Sequence, residues 1–311
     1  MVSNRQIVKG AIETGSVNNG LLNSEQARKF IKQTFDATIL GGLVRHEIRT
    51  AKTGELDKIG IASRIVRRKQ ENTDDGYRAG IATSQITYAT TAVRLPWEIT
   101  EETLRENIEG QNFETIVTDL MTRQLGVDME DLYLNGDEST PSTDPDYDFL
   151  KINDGWIKQI NNGGHVYDIQ NINGGALVLD TFYNALQMLP NKYNNGNLRW
   201  LMSPKRAQQW ELHLLNQIVN NGGAVPESIY NSPAKIPTIA CPSMSDDKII
   251  LTDPKNLVVV NTYDVKIRKT SEGKEAIMQD KRFYVVHLDY DPVIEEKDAT
   301  CIIKNIASIA A

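Results

Sequence analysis

The stretch from residue 58 to 99 limits what this chain can fold into more than any other. It reads as a long hairpin: KIGIASRIVRRK runs out, ENTDDG turns, and QITYATTAVRLPWEI returns. Asp, Asn and Gly are the residues that tight turns use. Ile59, Ile61 and Ile65 share one side of the outgoing strand, and Val93, Leu95, Trp97 and Ile99 alternate on the return. A two-stranded ribbon of this length is at best marginally stable alone in water. Ordering each residue costs about 1–2 kcal/mol of backbone entropy, and few large apolar side chains offset it. The hairpin must lie on something else.

Residues 1–45 pose the same problem. Ser24 is placed to cap a helix carrying Ala27, Phe30, Ile31 and Phe35 at helical spacing, and Gly41-Gly42 ends it. One short amphipathic helix on a Gly/Asn-rich leash is an arm with nothing local to pack against.

The clearest helical stretch covers residues 100–134. Thr100 caps a first short helix with Glu101 and Glu102 in its first turn and Leu104 and Ile108 on its face, until Gly110 interrupts. Phe113, Ile116, Val117, Leu120, Met121, Leu125, Met129 and Leu132 then mark a long apolar stripe that should pack within the subunit. Asn135-Gly136 predicts the stop, with Gly136 in the left-handed conformation and Asp137 following. Residues 151–255 read as an α/β domain. A helix is expected from Asp180, as its cap, to near Pro190, LRWLMS is a buried strand, Ser203-Pro204 opens a further helix, and KIILTD and NLVVVN are core strands. Strands continue to about residue 305.

The net charge of −7 is unevenly spread. Residues 1–100 hold 15 Lys/Arg against 10 Asp/Glu, residues 101–150 hold 2 against 14, and the remainder is balanced. A basic third followed by an acidic block suggests two surfaces that attract each other. Two distant cysteines, Cys241 and Cys301, suit a reducing compartment and neither a disulfide framework nor a zinc site. No apolar run is long enough for a bilayer, and no apolar block marks a signal peptide. The four histidines are scattered, and GxSxG, P-loop and GxGxxG motifs are missing. DMED (128–131) lacks the loop spacing of a calcium site. RIVRRK (64–69) lacks interleaved aromatics, and at a pI near 5.3 it does not point to sequence-reading nucleic-acid binding. No catalytic residue, metal site or cofactor is expected.

An arm, a hairpin, a long helix ending in Gly-Asp and a compact α/β domain together resemble the major capsid protein of tailed bacteriophages, whose shell fold is also used by encapsulins. The resemblance covers nearly the whole chain. ATTAVRLPWEITEETLREN resembles the family's loop returning into a short helix, LYLNGD the end of its spine helix, ALQMLPNKYNNGNLRWLMSP its axial domain, IILTD with Asp253 its later strand, and VVHLDYDPVIEEKDATCIIKN its closing segment. It implies an α+β fold divided into an arm (1–45), an extended hairpin loop (46–97), a peripheral domain with the spine helix (98–150), an axial domain (151–255), a peripheral β-hairpin (256–290) and a C-terminal strand returning to the axial domain (291–311). The implied function is structural: self-assembly, as hexamers and pentamers, into an icosahedral shell around non-specifically packaged DNA. A separate scaffolding protein and a portal would be partners, in the host cytoplasm first and the virion capsid afterwards, with no membrane. In the family the extended loop lies across a neighbour's spine region. That would set Arg64, Arg67, Arg68 and Lys69 against Glu109, Glu114, Asp119, Asp128, Glu130 and Asp131. The rival readings are an encapsulin-like compartment and a soluble α/β enzyme with an acidic metal site.

Overall fold

The computed structural model describes residues 38–60, 65, 66, 68, 76–78, 80–102, 113–221, 232–262 and 266–309. The expected arm helix around residues 24–35 and the short helix bearing Leu104 and Ile108 lie outside them. Among the described residues the first strand is β1 (Arg45–Arg49), then come the ribbon strands β2 (Thr53–Gly60) and β3 (Ala82–Ala89), then β4 (Thr91–Thr100). The spine helix α1 (Phe113–Asn135) follows, then α2 (Trp156–Gly163), β5 (His165–Asp168) and β6 (Ala176–Leu177). Next come α3 (Leu179–Met188), β7 (Arg199–Met202), α4 (Pro204–Asn221), β8 (Thr238–Ala240) and β9 (Ile249–Thr252). The last elements are β10 (Leu257–Thr262), β11 (Lys266–Thr270), α5 (Lys274–Gln279), β12 (Lys281–Ile294), β13 (Cys301–Lys304) and β14 (Ser308–Ile309).

Two five-stranded sheets organise these elements. In the first, β12 is the hub: β4 runs antiparallel along one edge from Lys281 to Tyr290, while β11 and β10 share the other edge, and β1 pairs parallel with β10. The second has the order β5-β13-β9-β7-β8. Its short apolar strands are buried on both faces, as the continuous runs in RWLM, IILT and CIIK require. Side-chain alternation then divides them. Leu201, Ile250 and Ile302 join the core under α1 and α2, whereas Trp200, Met202, Ile249, Leu251, Cys301 and Ile303 join Phe182 and Trp210 beneath α3 and α4. Both cysteines are buried and free, and burial pushes each thiol up to about 12.

Local signals account for several boundaries. Ser203 caps α4 by accepting the Arg206 N–H at 3.1 Å. The expected cap Asp180 lies instead inside the first turn of α3: the helix starts at Leu179, and Thr181 Oγ1 accepts the Val178 N–H at 3.3 Å. A carboxylate in the first turn still favours the helix dipole. The helix stops at Met188 because Leu189, before Pro190, is held extended.

The end of the spine helix corrects the expectation for Gly136. The helix stops at Asn135, but Gly136 is not among the glycines with positive φ. The glycine is required by close approach. Gly155 donates to its carbonyl at 2.8 Å, and an added Cβ would fall 2.3 Å from the Asn153 carbonyl and 2.8 Å from that of Leu132. Backbone cannot move aside as a flexible side chain can. The smallest substitution, Gly136→Ala, is therefore expected to lower the stability of the unassembled subunit by at least the 1–3 kcal/mol typical of overpacking, that is, about 2 kcal/mol or more. A thermal melt unchanged by Gly136→Ala would contradict this packing.

Candidate assembly interface

The ribbon does not float free. Leu56 and Tyr88, one from each strand, bury against Val258, Val260 and Val293 on one face of the first sheet. The opposite face, carrying Leu257, Val259, Tyr284, Val286, Leu288 and Tyr290, packs against the spine helix. Polar contacts surround the ribbon root. Lys52 Nζ lies 3.0 Å from Asp289, the Ala89 N–H donates to Asp291 at 2.8 Å, Lys58 pairs with Glu296, and the Thr90 N–H donates to the Lys52 carbonyl at 2.8 Å. Asp291 is buried, and burial pushes its carboxyl up, against hydrogen bonds from Ala89 and Asn153 that lower it and a further rise from Glu138. The hairpin thus rests by its root on its own subunit. Ile86 packs beside Leu56 and Tyr88, but two apolar residues further out do not: Val66 is 90% and Ile81 70% exposed.

The acidic residues of the spine segment have separate fates. Glu114 is turned inward, paired with Lys269 and lying 3.9 Å from Arg282, with little exposure on any of the three. Glu130 is buried and accepts the Leu40 N–H at 3.0 Å, holding the turn at which the N-terminal segment enters. Neither is a surface charge, so neither can face a neighbour's basic loop. The reason is helical spacing: Glu130 shares its face with the buried Gly126, Tyr133 and Leu134. Asp131 accepts from Asn135 at 2.6 Å, and Asp128 from Gln124 at 2.7 Å. Burial raises both carboxyls, the side-chain amides lower them, and a neighbouring acid adds to the rise in each case: Asp131 for Asp128, and Asp146 for Asp131. The three acids of DMED therefore point to different partners, and no group of three His, Cys, Asp or Glu among the described residues is arranged to hold a metal ion. Asp119 is exposed. Asp137, after the helix, pairs with Lys158 at 2.8 Å; hydrogen bonds from Lys158 and Ser139 outweigh burial and hold its carboxyl low. Of the basic set, Arg68 is described and exposed. Arg64, Arg67, Lys69 and Glu109 lie outside the described residues.

The apolar stripe also divides. Val117, Leu125, Met129 and Leu132 are buried, but Ile116 is 40%, Leu120 59% and Val127 46% exposed. These three form a second, outward stripe along α1. The expectation that the whole stripe packs within the subunit fails for Ile116 and Leu120.

This architecture defines a class: the chain has the α+β fold of tailed-phage major capsid proteins, shared with encapsulins. It is similar over 95% of its length to a chain of the satellite phage P4 procapsid that includes the size determination (Sid) protein (TM-score 0.68, 15% identity, 94% of that chain). It is also similar to a chain of the SrpI encapsulin complex from Synechococcus elongatus PCC 7942 (TM-score 0.52, 11% identity, 99% of this chain and 96% of that one). In sequence it is 26% identical to the putative prophage capsid protein YqbE of Bacillus subtilis strain 168, over 97% of this chain and 99% of YqbE. No protein-family profile matches the chain. No described helix is long and apolar enough to cross a membrane.

The division of acids into buried and exposed gives an ordered expectation. Glu114→Ala removes the carboxylate that pairs with Lys269, while Arg282 keeps Glu101, and is expected to destabilise the free subunit by about 1.5–3 kcal/mol, the range for hydrogen bonds to charged groups. Asp119→Ala should stay within about 0.5 kcal/mol. Urea melts of the two variants check this, and equal midpoints would show that Glu114 is not turned inward.

Proposed function

We propose that this protein is the structural subunit of a tailed-phage or prophage shell, many copies of which assemble into a closed icosahedral container. The observation that carries the reading is the end-to-end alignment with a relative named as a prophage capsid protein. The role is architectural, not enzymatic. Two apolar surfaces left open on the subunit support it: the hairpin beyond its root (Ile65, Val66, Ile81) and the outward stripe of α1 (Ile116, Leu120, Val127). A second copy is the natural cover for both.

On this reading the distal hairpin of one copy lies on the spine helix of the next. Ile65 and Val66 meet the outward stripe, and Arg64, Arg67, Arg68 and Lys69 face Asp119, Asp128 and the acidic segment around Glu109. The charges set register and encounter rate, and the apolar contact supplies affinity. Hexamers and pentamers are the building units, with a separate scaffolding protein and a portal, in the host cytoplasm before the virion is complete. A net charge of −7 also keeps non-specifically packaged DNA from adhering to the wall. An encapsulin-like compartment uses the same fold and is told apart by particle contents: nucleic acid for a phage shell, cargo protein for a compartment.

Sedimentation and negative-stain imaging of the protein, alone and co-expressed with its scaffolding partner, are expected to show closed particles. A compact 34.9 kDa species under every condition would contradict the proposal. In a second experiment, Arg64, Arg67 and Arg68 are replaced together by Glu. The free subunit should melt within about 0.5 kcal/mol of wild type, while assembly slows sharply. Wild-type assembly should itself slow near 1 M salt, where the Debye length falls to about 3 Å. Normal particles from the triple variant at low salt would show that the basic loop does not meet an acidic surface.

A further inference from the structure

β4 pairs with β12 only as far as Tyr290, and beyond it side chains from just after the spine helix bond this part of β12. Gln159 donates to the Pro292 carbonyl, Trp156 Nε1 donates to the Val293 carbonyl at 3.2 Å, and Asn153 Nδ2 donates to Asp291 Oδ1 at 3.1 Å. The other oxygen of Asp291 accepts the Ala89 N–H at 2.8 Å. Ala89 pairs with Thr53 in the last rung of the ribbon, and its N–H is directed out of the ribbon toward β12. Asn153 is fixed on two sides. Its side-chain oxygen accepts the Asp154 N–H at 2.8 Å, and its carbonyl lies against Gly136, where an added Cβ would come within 2.3 Å. One buried carboxylate therefore bonds the root of the hairpin on one side and, through Asn153, is linked to the end of the spine helix on the other.

We propose that Asp291 is a positioning residue for assembly, locking the direction in which the hairpin leaves the sheet to the end of the spine helix. The proposal rests on the shell reading, in which these are the two surfaces that a second copy must meet together. The other side-chain contacts at the root, the part-exposed Lys58–Glu296 pair among them, fix direction less. Burial of Leu56 and Tyr88 on valines is non-directional. Lys52, the partner of Asp289, is largely exposed, and such a pair constrains little. The Asp291 bonds are directional and charge-assisted. Among the described residues no cation pairs with this carboxylate, so its two amide donors are what hold it.

The test uses Asp291→Asn, Asp291→Ala and Asn153→Ala. In Asp291→Asn one acceptor oxygen becomes an NH2 group that must face either the Ala89 N–H or the Asn153 amide, and Asn153 cannot simply turn over because Asp154 holds its oxygen; one of the two bonds is lost and the other is no longer charge-assisted. The free subunits are expected to keep wild-type far-UV circular dichroism and the amide protection of β10 and β12. The Ala89 amide should exchange at least tenfold faster, and particle yield should fall at least tenfold. Asn153→Ala should reproduce both effects, and the double variant with Asp291→Ala should be no worse than either single change, as for groups acting through one link. Unchanged Ala89 exchange in Asp291→Ala, or faster exchange with normal particle yield, overturns the proposal. If Asp291→Ala does not fold, Asp291→Asn and Asn153→Ala decide the matter by the same two readouts. Exchange is read on the free subunit, so a wild-type protein that never assembles refutes the shell reading while exchange still decides whether Asp291 makes the link.

Discussion

The structure depends on the alternation of side chains along β12 and β10. Tyr284, Val286, Leu288 and Tyr290, with Leu257 and Val259, face the spine helix. Val258, Val260 and Val293 face the other way and receive Leu56 and Tyr88 of the hairpin. Two elements that are long and poorly covered on their own are thereby mounted back to back on one sheet. A one-residue slip in register would exchange the two faces and lose both. The stacking of Trp97 on Tyr284, at 5.2 Å between ring centroids, adds a cross-strand contact that holds β4 in step with β12.

Charge is used in two ways. Carboxylates that lie on buried helix or strand positions are consumed inside the subunit: Glu114 by Lys269 and Arg282, Glu130 by the Leu40 amide, Asp291 by Ala89 and Asn153. Those on outward positions, Asp119 above all, remain free to act between copies. The excess of acid in residues 101–150 is thus partly a device for tying the spine helix to its own sheet and to the N-terminal segment. Only the remainder can steer a partner.

Much of this was legible in the residues. The two-sided apolar runs of IILT and CIIK, the proline-terminated helix ahead of LRWLM and the helix stop before Gly136 follow from period, caps and turn chemistry. The reason for Gly136 was not legible, because the carbonyl that excludes a side chain belongs to Asn153, seventeen positions later, and close approach leaves no local mark. Glu130 was mistaken for surface charge because DMED was weighed as a cluster; its spacing from Gly126 and Tyr133 carried the correct signal. The docking of the hairpin root leaves little mark in the sequence because it rests on three spaced residues, Leu56, Ile86 and Tyr88. The available hint was a pair of aspartates, Asp289 and Asp291, in the buried C-terminal half of β12, where an acid needs a donor.

The central claim is that the hairpin is rooted on its own subunit and completed by another. An electron cryo-microscopy map of assembled particles tests it most directly. The account predicts β2 and β3 still seated on Val258, Val260 and Val293 of their own chain, with residues 61–81 lying on Ile116, Leu120 and Val127 of a neighbouring copy. A map in which residues 61–81 contact only their own subunit, leaving the outward stripe of every spine helix uncovered, would contradict it.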